Sequence, residues 1–161
     1  MKFKKIELAR QTNFLLAVLM LHFLFFGYLA NVYSKDIGEG VMFLYQVLFI
    51  PRSFLSLIIL FAIIFFMAFR EKFFEYGIRN SIWLIPIMVG MSWIWYWFIS
   101  MNITTVNILD IFGIIGMWFI SIESYITILV LLVINLTASI LASIARIKYY
   151  RYIERIKKIE V

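Results

Sequence analysis

Long apolar runs alternate with short polar breaks along this chain, and the lengths of the runs predict helices. The first run extends from Thr12 to Tyr33, and "SKDIGEG" (34–40) closes it with a polar, glycine-containing turn. The second runs from Val41 to Phe69, longer than the roughly 20 residues that one bilayer crossing needs. "REKFFEYGIRN" (70–80) follows as a charged loop. Asn80 and Ser81, both good N-cap types, then open a third run to Ser100. After the polar "MNITT" (101–105), the stretch from Val106 to Ala145 is apolar except for Asp110 and Glu123. Apolar runs of this length satisfy their backbone in a bilayer as helices, so an all-α integral membrane protein is expected.

The last run fits two spans (about 106–121 and 124–146), or one span preceded by an interfacial segment. Charge separates these readings. "KFKKIELAR" carries Lys2, Lys4, Lys5 and Arg10 against Glu7, and "RIKYYRYIERIKKIEV" carries six cations against Glu154 and Glu160. Cytoplasmic segments of membrane proteins are enriched in Lys and Arg, so both ends are expected inside and the number of spans even. The loop 70–80, with Arg70, Lys72 and Arg79, then falls on the same side. Five spans would put the basic tail outside. The expected architecture is therefore a single membrane domain, a four-transmembrane-helix bundle with spans at about 12–33, 52–69, 81–100 and 124–146. Short interfacial or re-entrant helices at about 41–50 and 106–121 cap its outer side, and a basic cytoplasmic tail covers 147–161. A prokaryotic plasma membrane is the favoured location.

Composition agrees. Hydrophobic residues make up 65% of the 161 and charged residues 15%, with a mean hydropathy of +0.99. A soluble domain is nearer about 45–50% apolar and about 25% charged. The net charge of +6 sits at the ends and in one loop, which indicates topology and anionic lipid and argues against nucleic acid. The absence of cysteine excludes disulfides, thiolate metal sites and a cysteine nucleophile. The run from Phe14 to Val32 is too long for a signal-peptide core and lacks an A-x-A-like site after it, so a retained first span is expected.

A few polar positions in the apolar runs need a reason. Pro51 and Arg52 interrupt the second run. If a span starts there, Pro51 occupies the first helical turn, where its missing N–H costs little, and Arg52 reaches the headgroups. The sharper reading pairs Arg52 with Asp110 or Glu123, as a clamp between outer caps or as the lining of an ion or substrate vestibule. His22, the sole histidine, lies in the first span and should find a hydrogen-bond partner among the helices; it is also the one weak candidate for holding a cofactor. "WIWYW", with Trp93, Trp95, Tyr96 and Trp97, reads as an interfacial aromatic belt. In "NLTASILASIARI", Ala138 with Ala142 and Ser139 with Ser143 stand four apart and suit close helix packing, with Asn135 and Thr137 able to bond across it. Glu71 and Glu75 read as an i,i+4 pair on a solvated helix end. The "NIT" at Asn102 is a glycosylation sequon that matters only in a eukaryotic secretory membrane.

No phosphate loop, HExxH, nucleophile elbow or carboxylate–histidine metal spacing is present. The expected function is that of a non-catalytic accessory or assembly subunit of a larger membrane complex, packing through small-residue faces. No catalytic residue, metal or cofactor is expected. Anionic lipid, other membrane subunits or further copies of the chain are the expected partners. The alternative is a small oligomeric transporter or channel using Arg52, Asp110 and Glu123. A membrane enzyme acting on lipid or quinone is a third reading, and the spacing supports no reaction class for it.

Overall fold

The computed structural model describes residues 2–32, 43–49, 54–100 and 108–159, and among them there is no strand. α1 (Lys2–Met20) runs without a break into a π-helical stretch (Leu21–Tyr28) and a last α-turn, α2 (Leu29–Val32). Gly27 lies within the widened stretch. A Cβ on Gly27 would sit 3.3 Å from the carbonyl oxygen of His22, five residues back, and 3.9 Å from the Trp95 ring. A larger residue would crowd that carbonyl by a few tenths of an ångström while only touching the indole, so glycine eases the wide turn.

Short α3 (Phe43–Phe49) precedes α4 (Leu55–Arg70), α5 (Phe74–Ser100), α6 (Ile108–Ile120) and α7 (Ile122–Ile159). Phe54, ahead of α4, is in the left-handed region at φ 52°, and its carbonyl accepts the Ile58 N–H at 3.0 Å. α4 ends at Arg70; Glu71 turns extended (φ −72°, ψ 136°), and the Phe73 carbonyl accepts the N–H groups of Tyr76 and Gly77 to start α5. Gly77 brings the two helices close, since a Cβ there would touch Ala68 Cβ at 3.4 Å. Pro86 lies inside α5, which continues through it.

The long helices share one core. α7 packs along α4 and α5, α4 packs on α5, and α1 packs on α4 and α5. Phe25, Phe26, Leu60, Ile64, Leu84 and Leu131 are fully buried at the contacts. α3 is enclosed by α4, α5 and α7, with Val47 and Leu48 buried, and the Ser56 hydroxyl donates to the Val47 carbonyl at 2.6 Å. α6 differs from it. Phe112, Met117, Phe119 and Ile120 are exposed, while Trp118 turns in and meets Trp93 edge-on at 5.7 Å.

Among the described residues, two stretches are long and apolar enough to cross a membrane, Arg10–Tyr28 and Ile122–Ile156. Leu55–Arg70 is apolar but has 16 residues, about 24 Å of helix. The outer faces are apolar too, with Leu15, Phe23, Ile58, Trp83, Leu129 and Val133 all exposed. Surface of this kind marks contact with lipid or with other protein.

Candidate functional site: a carboxylate buried at the basic end of the helices

Arg10, the 71–73 turn, Arg79 and Arg146 gather at one end of the helices, and Glu71 lies in their midst. Its side chain is 5% exposed. Nδ2 of Asn13 on α1 and Nδ2 of Asn80 on α5 both donate to Oε1, each at 3.4 Å. Arg10 and Arg146 stand near enough to favour the ionised form. Burial outweighs these influences, and the Glu71 pKa lies above the ordinary glutamate value. Its place just past the end of α4 acts in the same direction, because a helix C-terminus carries partial negative charge.

This corrects the sequence reading of Glu71 and Glu75 as a solvated helical pair. Glu75 is exposed on α5, but Glu71 precedes that helix and points into the protein. Asn80, expected with Ser81 to open a helix, lies instead inside α5, which begins at Phe74, and nothing in the sequence singled out Asn13. Their convergence on one carboxylate joins positions 58 and 9 residues away from it, which no local pattern reports.

A cleft opens on either side of this cluster. The first, of about 510 Å³, lies between α1 and α5 and is lined by Arg10, Gln11, Phe14, Arg79, Asn80, Trp83 and Ile87. The Arg10 and Arg79 guanidinium carbons lie 5.2 and 5.1 Å from the centroid of one ring, that of Tyr76. The second cleft, of about 350 Å³, has Lys72, Arg146 and Arg151 on its walls together with Glu71 and Glu154.

His22 and the "WIWYW" residues meet near the other end. Trp95 Nε1 donates to His22 Nδ1 at 3.3 Å, and the rings are 5.2 Å apart. A neutral imidazole accepting at Nδ1 carries its proton on Nε2. Tyr96 is buried, Trp93 and Trp95 are half-buried, and these three rings pack among the helices; the Trp97 side chain lies outside the described residues. Trp93 Nε1 is buried and has no acceptor among the described residues.

The remaining predicted positions separate. Pro51, Arg52 and Asn102 lie outside the described residues, as does the side chain of Asp110, whose backbone is in α6. Glu123 is exposed at the start of α7. Ser121 donates to its carboxylate and accepts its backbone N–H at 3.2 Å, a helix cap that holds the Glu123 pKa below the ordinary value. Asn135, Ala138, Ser139, Ala142 and Ser143 are all buried. Asn135 Nδ2 donates to the Ser81 carbonyl at 2.7 Å and so ties α7 to α5, while its Oδ1 finds no partner among the described residues. Ser139 and Ser143 donate to the carbonyls four residues back. Thr137, expected to bond across the contact, is exposed and turns its hydroxyl to its own helix at Val133 and Ile134.

No protein family, curated protein or solved structure matches the chain.

Proposed function

We propose that the chain is a non-catalytic accessory or assembly subunit of a larger membrane complex. In this reading it crosses the membrane four times, through α1 with its π-helical extension, α4, the later part of α5 and α7. The basic end and both termini lie in the cytoplasm, and α3 and α6 cap the far side. The observation that carries the reading is the use made of interior polar groups. His22 with Trp95, Ser56 with Val47, Asn135 with Ser81, and Glu71 with Asn13 and Asn80 each join one helix of the chain to another. Polar atoms committed to such ties hold the helices in register and are not set out around a substrate. What the chain offers outward is apolar, above all along α1 and α7. The transporter alternative lacks comparable support, since Glu123 is engaged in an exposed cap.

The test is native-gel size and stoichiometry of the protein after mild extraction from its own membrane. A tryptophan scan of exposed positions such as Leu15, Phe23, Leu129 and Val133 accompanies it. A complex larger than the 19.2 kDa chain is expected, released by substitutions on one face. A free monomer, unchanged across the scan, would overturn the subunit reading.

A further inference from the structure

We propose that the cleft between α1 and α5 holds the phosphate of an anionic phospholipid drawn from the cytoplasmic leaflet. The argument begins with charge. Among the cleft's described lining residues are two guanidiniums, Arg10 and Arg79, and no carboxylate, with Glu71 near enough to Arg10 to feel its charge, whereas the second cleft has Glu71 and Glu154 on its own walls. Guanidinium groups bind phosphate through paired N–H donors, and each of these two is positioned over the same ring, Tyr76. Gln11 adds an amide group at the same level.

Polarity along the cleft then selects the source of the phosphate. Arg79, Trp83 and Ile87 follow one another at four-residue steps on α5, and Arg10 and Phe14 do so on α1. The walls therefore pass from charged to aromatic to aliphatic within about 12 Å of helix. A phospholipid changes in the same order from phosphate through glycerol ester to acyl chain. Inorganic phosphate or a soluble phosphate ester would share the first contact only. Basic pockets between membrane helices on the cytoplasmic side are suited to such headgroups. The inference rests on the membrane placement proposed above and not on the subunit role.

The experiment is native mass spectrometry of the purified full chain with phosphatidylglycerol or phosphatidylcholine, plus a thermal-shift arm with inorganic phosphate. The expected result is one phosphatidylglycerol held in preference to phosphatidylcholine. Arg79→Gln should weaken its retention about tenfold or more, the size of one hydrogen bond to a charged group. Arg151→Gln, in the second cleft, should leave it unchanged. Arg79 is exposed, so its loss should leave the melting temperature close to wild type. Trp83→Ala, which keeps both guanidiniums, should also lower lipid retention while leaving any response to phosphate intact. Equal retention of the two lipids, or an Arg79→Gln variant that holds phosphatidylglycerol like wild type, would overturn the proposal. Arg79-dependent stabilisation by inorganic phosphate without lipid retention would overturn it in favour of a soluble phosphoanion. Reporter fusions read the membrane placement separately from lipid retention.

Discussion

At Glu71 burial and charge pull one carboxyl in opposite directions, and burial prevails. A raised pKa means that the folded protein binds the proton more tightly than the unfolded chain. The contribution of Glu71 is fully present below the ordinary glutamate value and is lost as pH rises through the higher folded value. Wild type should therefore lose stability relative to Glu71→Gln across that interval, with the difference flat on either side. Thermal unfolding of both proteins from acid to neutral pH checks this; a difference that grows in favour of wild type with pH would reverse the assignment. The two neighbouring tryptophans allow a second comparison. Trp95→Phe strands the acceptor on His22 and should cost about 1 kcal/mol beyond packing. Trp93→Phe removes a donor that has no partner among the described residues, so its polar cost should be smaller. Melting temperatures of the two variants, both half-buried rings, read the difference.

Among the elements, α7 shows how a helix with no net amphipathic pattern acquires a face. Its 38 residues carry small side chains at 138, 139, 142 and 143, all buried, and the helix packs along α4 and α5. The serines bond to their own helix and so act toward their neighbours as small groups. Ala142 is fully buried and Leu132 is 41% exposed. Ala142→Leu should consequently destabilise by about 1–3 kcal/mol through overpacking, while Leu132→Ala should change little. Equal melting temperatures for the two variants would show that α7 does not depend on close approach at that point. Gly77 against Ala68 is the same device between α4 and α5, on a smaller scale.

The whole molecule combines a basic end with apolar flanks. Arg10, Arg70, Arg79 and Arg146 each lie over an aromatic ring there, a cation–π arrangement suited to a boundary between apolar and hydrated surroundings. Placed in a membrane, that end should face the cytoplasm. Alkaline phosphatase fused after the C-terminus should be inactive, and a fluorescent protein at either terminus should fluoresce. A C-terminal fusion active on the outer side would replace four spans by an odd number.

Helicity and apolar character were legible in the sequence because both are local. They depend on composition, run length and the residue types between runs, and every described element is helical accordingly. The small residues of 138–143 were visible for the same reason, as a spacing within one helix. The tertiary structure alone decided who meets whom. His22 finds Trp95 across 73 residues, Glu71 finds Asn13 across 58, and Asn135 finds Ser81 across 54. It also decided that Glu71 is buried, that Tyr96 lies inside, and that α3 is enclosed while α6 is exposed. Period and hydropathy describe how one segment meets its solvent. Burial of a particular polar atom depends on which other segment covers it, and that follows from packing of the whole chain.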